Sequence, residues 1–222
     1  MKPLNVFIGY DSREPVAYHV LAHSILARAS VPVAITPLVQ SALRSSGLYT
    51  RVRGPSESTE FSLTRFLVPY LSDFKGTSIF MDCDMLVRCD IAEVPQPTES
   101  AVLVCQHDYT PKTTTKFLGQ KQTNYPCKNW SSMMVLNNER CSVLTPEYVN
   151  RATGLELHRF LWIPSVGAMP LEYNWLVGEY ESNAQAKILH WTMGGPWFAP
   201  YRDCDHAGEW MAEHAAMAHP HT

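Results

Sequence analysis

The sequence predicts an α/β fold: a central, mostly parallel sheet with helices on both faces. Three observations carry this expectation. Apolar stretches at 4–8 and 31–38 flank a helical stretch from Pro15 to about Ala29, and a strand–turn–helix–strand order of that kind pairs its strands in parallel. A second helical stretch, 61–71, leads through Lys75-Gly76 into another apolar strand, 77–81. The chain has 222 residues, 45% hydrophobic and 18% charged, enough for one packed core and too apolar for a disordered chain. We therefore expect a single domain over 1–222, closing in a helical tail over about 203–222.

The elements follow in order. Leu4-Asn5-Val6-Phe7-Ile8 reads as a buried strand ending at Gly9. In the turn that follows, Asp11 or Ser12 offers a capping oxygen, Glu14 suits the positive end of a helix, and Pro15 tolerates the first turn. Val16, Val20, Leu21 and Leu26 give that helix its apolar face. Residues 41–58, rich in Ser, Gly, Arg and Pro, read as a surface loop. In 61–71, Leu63, Phe66, Leu67 and Tyr70 fall on one side of an amphipathic helix. Strands are expected at 77–81, 101–105 and 132–136, with apolar character resuming at 85–87, a polar excursion at 107–128, and a last helix at about 207–218.

Composition removes several classes of function. A net charge of −3 gives no basic field, so nucleic acid is not an expected partner. Six Cys without a CxxC pair make neither a disulfide scaffold nor a zinc ribbon, and read as reduced thiols of a cytoplasmic protein. No apolar run approaches the roughly 20 residues of a membrane span, and no targeting segment is visible. There is no Gly-x-Ser-x-Gly elbow, P-loop or GxGxxG. His19 and His23, four apart on the first helix, have no third ligand beside them. Cys204, Asp205, His206, His214, His219 and His221 read as a solvated tail.

The sharpest feature is Asp82-Cys83-Asp84, directly after Ile79-Phe80-Met81. Residues i and i+2 of a strand share a face, and two bare carboxylates on a core face would be very costly. They belong where the strand leaves the sheet, which in an open α/β sheet is where ligands bind. Two hard oxygen donors there can hold Mg²⁺ or Mn²⁺ with positions left for a diphosphate, although a solvated turn uses the same triplet.

The block Phe61-Ser62-Leu63-Thr64-Arg65-Phe66-Leu67-Val68-Pro69, Gly76, and Ile79 to Val87 resembles the glycosyltransferases of the GT-A fold, and most of all the glycogenin and galactosyltransferase group, family 8. The resemblance implies a Rossmann-type GT-A domain. It places Arg65 on the donor nucleotide, where a guanidinium forks onto phosphate or ribose oxygens; an ion-paired surface Arg is the plainer reading. Asn5 to Asp11 resembles the family's opening strand, whose end receives nucleobase and ribose. Gly9 would admit close backbone approach, Tyr10 a ring face and Asp11 an acceptor. Cys83 counts with the donor-binding set as the centre of the acidic triplet.

Ile188-Leu189-His190-Trp191-Thr192-Met193-Gly194-Gly195-Pro196-Trp197 is the second anchor. The resemblance implies that His190 completes an Asp82/Asp84/His190 metal set and that Gly194, Gly195 and Trp197 border the diphosphate. Two departures stand out: Gly195 occupies the place of a phosphate-binding Lys, leaving the phosphate charge to the metal, to Arg65 or to a residue such as Arg202, and the family's Asp-Gln pair is absent, with Glu156, Leu157 and His158 in its region. Asn129 to Asn137 is similar to the family's Asn-small-Gly strand segment, but Trp130 falls where Asn is expected and Ser132 replaces Gly, which leaves Asn129 or Ser131 to serve instead. Leu171-Glu172-Tyr173-Asn174-Trp175 resembles its Pro-x-x-Asn stretch, which makes Glu172 and Asn174 catalytic candidates alongside Asp82 and Asp84. The implied activity is metal-dependent transfer of a hexose from a nucleoside diphosphate sugar, a UDP-sugar, to a hydroxyl acceptor with retention. A catalytically degenerate sugar-nucleotide-binding module is the alternative. A sugar nucleotidyltransferase would need a Gly-rich phosphate loop that Gly9-Tyr10-Asp11-Ser12 does not supply.

Overall fold

The computed structural model describes residues 2–54, 57–122 and 124–218. In chain order the elements are β1 (Leu4–Tyr10), α1 (Pro15–Arg28), β2 (Val33–Val39), α2 (Gln40–Ser45), α3 (Val68–Leu71), β3 (Thr77–Met81), β4 (Met85–Val87), β5 (Val102–Cys105), β6 (Met133–Asn137), α4 (Pro146–Arg151), α5 (Gly154–His158), β7 (Gly167–Met169), β8 (Trp175–Leu176), β9 (Ile188–His190) and α6 (Ala207–Ala218). Six strands form one sheet in the order β2-β1-β3-β6-β5-β7. Only β6 runs against the rest, so the expected mostly parallel sheet is present. A second sheet, β4-β9-β8, stands at the end of β3.

The first strand, helix and second strand form the βαβ unit that the sequence predicts, and the apolar side chains of β1, β3 and β6 fill the core. The face of α1 that packs inward is Ala17, Val20, Leu21, Ser24 and Ile25. Leu26, expected on that face, is 57% exposed. Ser24 ties α1 to β4: its hydroxyl accepts from the Val87 amide and donates to the Leu21 carbonyl.

Three expectations about local structure are corrected. Neither Asp11 nor Ser12 caps α1; the cap position is Glu14, whose side chain makes no cap bond. Asp11 binds the Arg13 guanidinium and the Glu60 amide instead, and Ser12 donates to Glu60. Stretch 61–71 is not one α-helix but a 3₁₀ turn, Thr64–Leu67, running into α3. Pro69 has no N–H to offer the Arg65 carbonyl, and the Val68 amide takes that acceptor in a tighter turn. Finally, 41–58 is not loop throughout, because α2 occupies its start and buries Gln40 and Leu43.

The two sheets bring distant segments together. In the smaller one Met85 lies opposite His190, and the Trp191 amide donates to the Asp84 carbonyl at 2.9 Å. On the other side the Asp82 amide donates to the Ser132 carbonyl at 2.8 Å. The acidic triplet is thus the link between sheets, pinned to β9 on one flank and to the start of β6 on the other.

Candidate active site

The link cannot turn all three triplet side chains the same way. Cys83 points into the core and is fully buried, with its thiol pushed well above the ordinary range by burial and by the acids around it. Asp82 and Asp84 turn outward. With His190 they form a cluster whose donor atoms lie within 4.8 Å of one another, the one such group of three found among the described residues. His190 Nε2 is 3.2 Å from Asp84 Oδ1. Arg65 Nη1 stands 2.8 Å from Asp82 Oδ1 as a charge contact, yet Oδ1 of Asp82 and Oδ1 of Asp84 are both sealed from solvent without an aligned hydrogen bond.

The hydrogen bonds behind His190 fix its tautomer. The Asn129 carbonyl can only accept, so the Ser132 hydroxyl donates to it at 2.6 Å. Ser132 Oγ therefore accepts from Asn174 Nδ2 at 2.8 Å, which leaves Asn174 Oδ1 facing His190 Nδ1 at 2.9 Å. Nδ1 therefore carries a proton and donates, so that in the neutral ring Nε2 is the nitrogen left with a lone pair. A lone pair 3.2 Å from a carboxylate oxygen is repulsive unless a cation, a proton or a metal ion, sits between them. Two buried acid oxygens without an aligned hydrogen bond and an imidazole nitrogen facing them are a donor set that fits a divalent ion of the Mn²⁺ or Mg²⁺ kind.

These groups form part of the wall of a cavity of about 500 Å³. Among the described residues, Arg51, Arg65, Lys116, Lys121 and Lys128 line it against three acids, Glu57, Asp82 and Asp84. Burial holds the Lys116 ammonium below its ordinary value while Asp84 and Asp82 pull it back up, and burial with Lys116 lowers Lys128 to about 8. Asp82 is pushed up to about 6, first by burial, against the opposing pull of Arg65. Behind the triad Glu14 is buried, raised to about 8 by burial, by Asp84 and by Asp11; one oxygen accepts from Trp197 Nε1 and the other has no partner.

Several candidates have other surroundings. Among the described residues the cavity wall includes none of Gly9, Tyr10, Asp11, Cys83, Glu172, Gly194, Gly195, Trp197 or Arg202. A Cβ on Gly9 would strike the Phe61 ring, so Gly9 admits a side chain rather than a ligand. Tyr10 packs edge-on against Tyr18. Gly194 has φ +125° beneath Tyr201, its amide already donating to the Trp191 carbonyl, and Gly195 lies under Trp197. Glu172 faces Lys187. Arg65 does line the cavity, but its guanidinium bridges Asp82 and the Ser131 carbonyl. Asn174 is a buried support of His190 rather than a wall residue. In the 156–158 region Glu156 closes a capping box with Thr153, Leu157 is buried, and His158 alone reaches the cavity. His23 pairs with Glu213 and His206 with Glu209, His214 stacks on Trp210, and His219 and His221 lie outside the described residues. Lys116, Lys121, Lys128 and Arg51 are cations that motif reading missed; their only signal was their presence in the two polar excursions.

No family model matches the chain. Protein CDI of Arabidopsis thaliana is 48% identical over 223 residues, covering 96% of this chain and 86% of the plant protein. This chain belongs to the Protein CDI family. The fold of this family member is that of the GT-A glycosyltransferases. It superposes on the bifunctional glycosyltransferase WbbM with a TM-score of 0.64 at 14% identity, over 96% of this chain and 50% of WbbM. The values for GlyE of Streptococcus pneumoniae TIGR4 are 0.59 and 14%, over 96% and 61%. The galactosyltransferase LgtC, solved with donor and acceptor sugar analogues, gives 0.57 at 11% identity over 96% of both chains. The chain thus spans half of WbbM and three-fifths of GlyE. No helix among the described residues is long and apolar enough to cross a membrane.

Proposed function

We propose that this CDI family member is a metal-dependent glycosyltransferase that moves a hexose from a UDP-sugar to a hydroxyl acceptor, akin to family 8. The observation that carries the reading is the meeting of Asp82, Asp84 and the His190 lone pair at the wall of a cation-lined cavity, on a glycosyltransferase fold. Asp82, Asp84 and His190 would hold Mn²⁺ or Mg²⁺, which when bound supplies positive charge to the departing diphosphate.

The chain's own residues divide the remaining work. Arg65 keeps the Asp82 carboxylate oriented, which matters because burial otherwise favours its protonated form. Asn174 and Ser132 hold the His190 ring. Lys116 and its neighbours on the wall face the phosphates, the role left open where Gly195 replaces a Lys. Catalysis on this reading is electrostatic stabilisation and positioning. Beyond the metal acids the wall offers, among the described residues, only Glu57 as a carboxylate, an observation that favours a second reading, a binding module that holds the nucleotide sugar without turnover.

Calorimetry with UDP, with and without Mn²⁺, together with UDP release from candidate donors, tests both. Metal-dependent UDP binding with turnover is the expected result. Binding with no turnover on any donor supports the second reading, and no metal-dependent binding removes both.

A further inference from the structure

The cavity wall is chemically uneven. Lys116 stands close enough to Asp82 and Asp84 for their charges to act on its ammonium, which makes that part of the wall suited to phosphate. Beyond Arg65 the wall bears hydroxyls beside an imidazole: Ser131, Tyr125, Thr153 and His158 line it, with Lys128 the cation close enough for its charge to act on His158. The two parts meet at Arg65, whose Nη1 touches Asp82 on one side and the Ser131 carbonyl on the other. The Ser131 hydroxyl in turn lies 2.7 Å from His158 Nδ1.

The His158 ring is held in place. Phe66 packs against it edge to face at a centroid distance of 5.3 Å, and Tyr125 lies at 6.3 Å. With Nδ1 engaged by Ser131, the ring has one nitrogen left. Nε2 has no protein partner among the described residues and is not sealed from the cavity. Burial, reinforced by the positive charges of Arg65 and Lys128, keeps this imidazole uncharged at neutral pH. A fixed, neutral imidazole is a poor partner for phosphate and a good one for a hydroxyl, which both donates and accepts.

We propose that His158, steadied by Ser131, binds a hydroxyl of the sugar carried by the nucleotide donor and so selects which sugar the site accepts. The proposal rests on reading the cavity as a sugar-nucleotide site. A diphosphate held at Asp82 and Asp84 puts the sugar one bond beyond the second phosphate, and the hydroxyl-bearing part of the wall past Arg65, where His158 presents an unpartnered Nε2, suits that half of the donor.

The test compares UDP with UDP-glucose and UDP-galactose by calorimetry in Mn²⁺, on the full chain and on His158→Leu, His158→Gln and Ser131→Ala, with thermal melts to establish folding. His158→Leu is expected to bind UDP as the parent does and its preferred UDP-sugar about tenfold more weakly, the effect of one lost hydrogen bond. His158→Gln should recover most of that loss, and Ser131→Ala should show a smaller loss confined to the UDP-sugar. Equal weakening of UDP and UDP-sugar, or no weakening of either, overturns the assignment while leaving the glycosyltransferase reading intact. A parent chain that binds none of the three ligands overturns both together.

Discussion

Asn174 sets the tautomer of His190 through hydrogen bonds that run in one direction, from His190 Nδ1 to Asn174, from Asn174 to Ser132, and from Ser132 to the Asn129 carbonyl. Reversing the amide would give the His190 Nδ1–H no acceptor. Replacing Asn174 with Ala should therefore weaken Mn²⁺ binding by about 10- to 100-fold. It should also lower stability by about 1–3 kcal/mol, since Ser132 and His190 lose a buried partner. Mn²⁺ titration and urea unfolding read the two effects separately; unchanged metal affinity in a folded N174A protein would show that the chain of bonds does not serve the metal set. At this scale the sequence was partly legible. Asp82 and Asp84 stand out as acids at a strand end, and the resemblance to GT-A enzymes is what adds His190 to them. Gly9 and Gly195 do not reveal whether the room beside them holds a ligand or a ring; here Phe61 and Trp197 take it.

The N-terminal end of α1 presents an electrostatic oddity. Glu14 occupies the cap position but turns inward, where it meets Trp197 and the fields of Asp84 and Asp11. Its folded-state value, about 8, lies above the unfolded value of 4.5. In the metal-free protein the folded form therefore holds a proton that the unfolded chain has released between those two values. The buried charge is absent below pH 4.5, and its destabilising effect grows as pH rises to about 8. Glu14→Gln keeps an acceptor for Trp197 Nε1 and has nothing to ionise. Its thermal stability relative to the parent should be similar at pH 4.5 and progressively higher toward pH 8; a difference that does not change with pH would contradict the placement. Elements with a strong local signal, α1, β3 and α6, were legible in the sequence at or near their observed limits, while β4 showed only as a return of apolar character at 85–87. The short α4, α5, β7 and β8 were not, because elements of two to six residues owe their form to the surfaces they pack on rather than to a pattern of their own.

The whole molecule explains how acids at 82 and 84 come to meet an imidazole at 190. The sheet order places β3 between β1 and β6, and the small β4-β9-β8 sheet returns the chain to the end of β3. The parallel sheet could be read from the alternation of helix and strand. The closing of β9 onto β4 could not, since no local pattern in Ile188-Leu189-His190 names its partner; the resemblance to GT-A enzymes supplied only the expectation that His190 joins the two acids. The cavity cations escaped for a related reason: loops 41–58 and 107–128 carry no periodicity, and only the folded chain shows that Arg51, Lys116 and Lys128 face one space. The central claim is that Asp82, Asp84 and His190 jointly hold one divalent ion. Pulsed electron paramagnetic resonance of Mn²⁺ added to the full chain with UDP tests this most directly. The expected result is one tightly bound ion per chain with a nitrogen coupling that disappears in His190→Gln, and binding that is lost in Asp84→Asn. A bound ion with no nitrogen coupling, or one that survives both substitutions unchanged, would contradict the account.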